Sequence, residues 1–534
     1  MAREGAAPAT RILRLQAVAL CEAESHNFRD GFSQQWVLAE TSHADLPGFS
    51  HVPLGRWHLH HGPALPGARA ALPEAGLHVA LMGQAVDGAG RFVTDAVLAD
   101  HLARARDPSR LAEALSACGG RYAFVIVAPA LARLYLDPSG CLGAVYEPRA
   151  RLVGATLYMA LDRPVEPNTD YPAFDIAGPG AGGRFAFGHT PDRHAKRLMC
   201  NHFLDLGRFV AHRHWPAPDA DFTCPLDRDA VEERIDRAVL RHRQVLGALT
   251  EAITPAMLPL TGGADARLLL AFCAPFLDRI DLAFVHRTNF NTMMDMRIAG
   301  ELATRAGIAL RRIDVVEETG LRTSKRFAAR MNARQRIALG LLPGGPGEKK
   351  PEIEVRQALP PGGTVLRGNV TDLSKAVLWR RKGIAEFNRS RGRAHSTTIG
   401  VRMLMIGHDW AETDPWFRNA YAGWLGTLPE PARRRALDFA SLEHFRTHGQ
   451  GALFYATNRN FYGTPSADRA ILEAFISLPP PIRDAFHVND LMLERTMPEL
   501  RDVPYTRRID NEIRRTRPAL DDMLAAARAD GERL

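Results

Sequence analysis

The chain has 534 residues, 46% of them hydrophobic and 24% charged, with a formal net charge of +8. That length has room for two or three domains with their own cores, and the composition is ordinary for a soluble globular protein. The positive excess comes almost wholly from Arg, and no basic stretch is interleaved with aromatics, so no nucleic-acid partner is expected.

Met1 to Thr10 reads as a flexible tail without the layout of a secretory signal. From Arg11 to about Trp215 the pattern is strand-rich, with alternating or short apolar runs such as Leu77 to Met82 and Tyr122 to Val127. Pro216 to Asp221 is a plausible hinge, which divides the chain into residues 11–215 and 216–534. Val231 to Leu249 has helical spacing at Val231, Ile235, Val239 and Leu246. Strands and helices then alternate, as in a parallel sheet with covered faces. Strands are predicted up to Leu260, over Ile280 to Thr288, over Leu310 to Val316 and over Thr364 to Arg367. Leu342 to Pro351 is turn-rich and reads as a solvated loop or a moving lid. Arg389 to Arg393 reads as an exposed loop or an anion clamp, and from Asp409 onward the pattern is mostly helical. No apolar run is long enough to span a bilayer. Six cysteines, at 21, 118, 141, 200, 224 and 273, are scattered with no CxxC pair, which suits a reducing cytoplasm.

The most informative stretch is Leu260-Thr261-Gly262-Gly263-Ala264-Asp265-Ala266-Arg267, between an apolar run and a helix-like one. Two glycines permit a tight turn and close approach of a phosphate to backbone amides. The helix beginning near Asp265 adds free N–H groups and the positive end of its dipole. Asp265 is either part of that site or a plain N-cap.

This loop resembles the Ser-Gly-Gly-x-Asp-Ser pyrophosphate loop of the asparagine synthetase family, with Thr261 for the first Ser and Ala266 for the last. Asp295-Met-Arg-Ile-Ala299 is similar to the family's Asp-x-x-x-Ala helix, and Gly368-Asn369-Val370-Thr371-Asp372-Leu373 to its Gly-x-Gly-x-Asp-Glu. Thr464 to Asp468 and Ser477 to Pro480 follow its closing pattern. Fainter matches at Gly120 to Phe124, Asp137 to Gly140 and Gly154 to Thr156 follow the glutaminase half, and Asn201 to Leu206 with His214 to Pro216 is similar to the linker that joins the halves. The overall pattern is similar to that of polysaccharide-cluster and lasso-cyclase-like homologues.

The resemblance implies an α+β, Ntn-hydrolase-like sandwich, then an α/β parallel-sheet adenine-nucleotide (PP-loop ATPase) domain ending in helices. It implies ATP and Mg²⁺ as cofactors. Leu260, Thr261, Gly262, Gly263, Asp265, Ala266, Arg267, Asp295 and Gly368 would bind nucleotide, Asp265 and Asp372 would hold metal, and Arg267 and Asp372 would be catalytic. Asp372 could also be a turn residue or helix cap.

Three departures shape the expected function. The chain begins Met1-Ala2-Arg3, and a Cys inside a chain offers no free α-amine as base, so glutaminase activity is not expected. The first domain is then a structural remnant or receives another substrate. No Lys follows Lys382, where the family uses one in its C-terminal half, and the Glu that would read an aspartate substrate is absent before Pro465. Glu443, His444 and His448 read as an exposed helix face, with zinc binding or a base role for Glu443 as alternatives. The expected activity is an AMP- and pyrophosphate-forming amide-bond synthetase acting on a small-molecule, peptide or sugar acid, with a homodimer possible. The alternative is a non-catalytic scaffold or partner protein.

Overall fold

Along the strands of the first half, alternation sorts side chains into two different cores. In Leu77–Val86, Ala80 and Met82 face one apolar cluster while Val79, Leu81 and Ala85 face another. In Gly119–Ala128, Ala123, Val125 and Val127 join the first cluster, and Tyr122, Phe124 and Ile126 the second. Both faces of these strands are buried, so the sequence reads as nearly unbroken apolar runs.

The computed structural model describes residues 14–40, 46–105, 107–172, 174, 185–289, 292–316, 324–342, 350–379, 397–405, 409–447, 455 and 459–529. Two six-stranded antiparallel sheets make up the first half. One has the order Lys196–Leu198, Ala144–Glu147, Leu152–Gly154, Trp36–Ala39, Trp57–His61, Ser50–Leu54. The other has the order Val210–Arg213, His202–Asp205, Leu131–Leu136, Gly119–Ala128, Leu77–Val86, Gly67–Leu72. They stack through a cluster holding Trp36, Leu38, Trp57 and Val153 from one sheet and Met82, Val125 and Leu134 from the other.

Helices cover both outer faces. Gln16–Ala23 and Phe28–Phe32 pack on the first sheet, and Asp95–Ala105 and Pro108–Ser116 on the second. The layering is therefore helix, sheet, sheet, helix. The strand-rich reading of this region did not anticipate its helices. His58, His60 and His61 lie in the strand Trp57–His61.

The second half starts with the long helix Arg228–Ala252, capped by the Asp227 carboxylate, which accepts from the Ala230 amide at 2.8 Å. Val231, Ile235, Val239, Val245, Leu246 and Leu249 form its buried face, at the predicted period. A five-stranded parallel sheet follows, in the order Leu310–Asp314, Leu282–Arg287, Ala256–Pro259, Thr364–Leu366, Phe461–Gly463. Four of these strands lie where they were expected, within a few residues. The fifth was not expected: three residues are too few to show a period.

The two halves of the chain interlock. Tyr455 and Phe461 enter the core of the sandwich. Arg121 is fully buried, donates to the Cys141 and Tyr462 carbonyls, and stacks over Tyr455 and Phe461. Gln84 Nε2 donates to Thr364 Oγ1 at 2.8 Å. Asp137, in the matched Asp137–Gly140 segment, is a buried turn anchor whose carboxylate accepts from the Ser139, Cys141 and Leu142 amides. No described helix is long and apolar enough to cross a membrane. The expected tail, most of the Leu342–Pro351 loop, the Arg389–Arg393 segment and His448 lie outside the described residues.

Candidate functional site

The Thr261–Asp265 turn sits at the carboxyl end of Ala256–Pro259, the central strand of the parallel sheet. In open α/β sheets this is where ligands bind. Leu260 continues the strand line, its amide donating to the Phe284 carbonyl at 2.7 Å. Gly263 is the N-cap of the helix Ala264–Phe272, so the first N–H groups of that helix have no intrahelical acceptor.

The two glycines have different roles. A Cβ on Gly262 would lie 2.1 Å from Thr506 Oγ1 and 3.1 Å from Ile298, so protein fills that side. A Cβ on Gly263 would meet only Thr261 Oγ1, at 3.4 Å. The Gly262 amide donates to Asp295 Oδ1 at 3.0 Å, and the Thr506 hydroxyl donates to the same oxygen at 2.6 Å. Asp295 was expected to touch nucleotide; instead it fastens the turn to the C-terminal segment. The Gly263 amide has only a long contact to Thr261 Oγ1, 3.3 Å.

Arg267 also departs from expectation. Its guanidinium is fully buried, donates to the Leu500, Val503 and Pro504 carbonyls, and stacks on Tyr505 with 4.0 Å to the ring centroid. Residue 267 is one helical turn past the cap, and its guanidinium is held against the chain from Leu500 to Pro504. It is a clamp on the chain around Val503, where it was expected to be catalytic and to bind nucleotide.

Asp265 is partly exposed, with Lys375 Nζ 2.7 Å from its Oδ1. The Thr371 hydroxyl lies 3.0 Å from the same oxygen and 2.6 Å from the Gly368 carbonyl oxygen. Gly368 is where the following loop crosses the turn: a Cβ there would sit 2.7 Å from the Asp265 carbonyl oxygen. Val370 adopts a left-handed backbone, φ +79°, at the position of the second glycine in the resembled motif. A β-branched residue there carries strain, of a kind that clusters at functional loops.

Asp372, the other expected metal ligand, is buried and ion-paired with Arg446. Arg446 is buried and Arg367 half-buried; burial pulls both guanidiniums down, while Tyr462 and then the Asp265 charge pull Arg367 back up and Asp265 does the same for Arg446. Lys375, Arg446 and Arg367 thus stand against Asp265 and Asp372. This balance suits an anion. It does not suit a divalent cation, since each carboxylate already has a cationic partner. Among the described residues no group of three or more His, Cys, Asp or Glu side chains could hold a metal ion. The residues fit nucleotide phosphates but not a protein-held Mg²⁺ on Asp265 and Asp372. Thr371, inside the matched motif, and Lys375, two residues past its end, were missed as site residues.

Glu443 and His444 are buried, not on an exposed face. They lie in the π-helical turn Ser441–Arg446. Glu443 accepts from Arg213 Nη1 at 2.6 Å and Nη2 at 2.8 Å, Asn201 Nδ2 at 2.9 Å and Trp424 Nε1 at 2.7 Å. Burial pushes its carboxyl up, but the Arg213 charge and these donors overcome that and hold it at about 2. A carboxylate held so firmly ionised is no general base at neutral pH. All six cysteines are buried, and burial raises each thiol, Cys21 and Cys141 to about 11 and Cys273 to about 12, so none of them is an activated nucleophile. No protein-family model and no curated protein matches the chain.

Proposed function

We propose that the chain is an ATP-dependent amide-bond synthetase of the asparagine synthetase type, in which the first half is an Ntn-hydrolase-like sandwich and the second a PP-loop nucleotide-binding domain. The observation that carries the reading is the turn itself. A Gly-Gly turn leaves the central strand of a parallel sheet, caps a helix, and has Asp265, Thr371 and Lys375 in contact beside it. Thr261, the Gly263 amide and the helix N-terminus would take nucleotide phosphate. Lys375 would turn from Asp265 toward it, with Arg446 and Arg367 adding positive field. Such preorganised charge favours departure of pyrophosphate when a carboxylate attacks the α-phosphate. The buried thiols accord with an amine donor other than glutamine.

A second reading is a non-catalytic partner protein that keeps the architecture. It is favoured by the Asp372–Arg446 pair and by the Gly262 amide already bonded to Asp295. Incubation with ATP, Mg²⁺ and a panel of small carboxylic, peptide and sugar acids separates the two. The synthetase releases pyrophosphate with at least one acid, and Lys375→Met abolishes that release. A chain that binds no ATP leaves only the partner reading.

A further inference from the structure

A second concentration of positive charge lies at the opposite end of the parallel sheet. A cavity of about 440 Å³ opens between the two halves. Its wall includes Arg29 from the helix Phe28–Phe32, Arg334 and Gln335 from Lys325–Leu339, Arg356 from Lys350–Ala358, and Arg459 just ahead of the strand Phe461–Gly463. Asp30 is the only acidic residue among the described residues of that wall.

The cavity is distinct from the Thr261–Asp265 turn. The Arg459 carbonyl accepts from the Gly362 amide at 2.9 Å and its Nε donates to the Leu359 carbonyl at 2.9 Å, both at the amino ends of strands whose carboxyl ends face the turn. The frame is fixed by bonds between the halves. Gln35 Nε2 donates to the Ala338 carbonyl at 2.8 Å, and Gln34 Nε2 to the Asn460 carbonyl at 2.9 Å. Asn460 Nδ2 in turn donates to the Pro360 carbonyl at 2.7 Å.

Arg29, Arg334, Arg356 and Arg459 come from four separate segments to line one cavity, with Asp30 as the one carboxylate among its described lining residues. Burial, opposed by Tyr462 and aided by the neighbouring Arg334 charge, pulls the Arg356 guanidinium down to about 10. Arg334 is likewise lowered, by burial first, with Asp30 opposing and Arg330 adding to the fall. Like charges held together in a partly desolvated space repel, and an anion between them relieves that repulsion. Guanidinium forks arriving from several directions match a group with many oxygens, which is a phosphate chain more than a single planar carboxylate. The volume is within the range of small-ligand sites.

We propose that this interdomain cleft is a binding site for a polyphosphate anion, separate from the turn and independent of the synthetase reading. The test is calorimetric titration of the full chain with pyrophosphate in Mg²⁺-free buffer. Wild type should bind. Arg29→Gln/Arg334→Gln should weaken binding roughly tenfold or more, since charged hydrogen bonds are lost. Arg29 is exposed, so Arg29→Gln alone decides the matter if the double variant does not fold; it should weaken binding several-fold. A parallel titration with ADP assigns the source: tighter binding of ADP points to a nucleotide-borne chain, tighter pyrophosphate to the free anion. No heat with either ligand overturns the proposal. So does pyrophosphate binding that Arg29→Gln leaves intact.

Discussion

Replacing Glu443 with Gln probes how the two halves are joined. Arg213 and Asn201 come from the first half, and Glu443 and Trp424 from the second, so one carboxylate gathers donors from both. Its fall from 4.5 to about 2 corresponds to roughly 3 kcal/mol favouring the charged form in the fold. Glu443→Gln keeps the shape and an acceptor for Asn201 but leaves the Arg213 guanidinium without a counter-charge. Neutralising one member of a buried pair costs about 3–5 kcal/mol. Arg213 keeps the Trp215 carbonyl and Thr427 Oγ1 as acceptors, which places the expected loss near the lower end. Urea unfolding followed by tryptophan fluorescence should show that loss at pH 7, with Trp424 reporting locally. The pH dependence has a definite sign. A carboxyl depressed in the fold stabilises it above the unfolded value, and that contribution fades as pH falls from about 4.5 toward 2. The gap between wild type and Glu443→Gln should therefore narrow through that window. A variant within about 1 kcal/mol of wild type at pH 7, or a gap that stays constant down to pH 3, would refute the reasoning.

The glycines of the turn should separate. Gly262→Ala drives a methyl into Thr506 and costs about 1–3 kcal/mol, whereas Gly263→Ala changes thermal stability by only about 0.5 kcal/mol; differential scanning calorimetry checks both. Arg267→Met should lose about 3 kcal/mol, from three buried carbonyl partners and a stack on Tyr505, and hydrogen exchange should speed up first around Val503. Acid should weaken the fold before its carboxylates titrate. Burial holds His242 at about 4 and His444 at about 3. The unfolded chain therefore takes up protons first, and stability falls as pH drops from 6.5 through that range. Neither ring nitrogen of His444 has a partner, so His444→Phe should flatten the profile between pH 6.5 and pH 4 in thermal melts.

How much of this was legible depends on the range of each interaction. The turn was readable because its evidence is local: an apolar strand, two glycines and a helix start are contiguous. The long helix was readable from Val231, Ile235 and Val239 for the same reason. The fates of Asp372 and Arg267 were not, because Arg446 and the carbonyls around Val503 are distant in sequence and only the fold brings them together. Glu443 and His444 misled the reading: polar residues at helical spacing suggest a solvated face, yet Arg213, Asn201 and Trp424 satisfy the carboxylate inside. Lys375 was visible as a rare lysine, but its reach to Asp265 depends on the short 3₁₀ turn Thr371–Lys375.

The central claim is that the turn after Leu260 holds nucleotide phosphate on its Gly263 side. Equilibrium binding of ATP to the full chain and to Gly263→Ala tests it most directly. Saturable binding to wild type, weakened roughly tenfold or more by a methyl in the phosphate's path while the melting temperature holds, is the predicted result. Equal ATP affinity in the two proteins, or none in either, would contradict it.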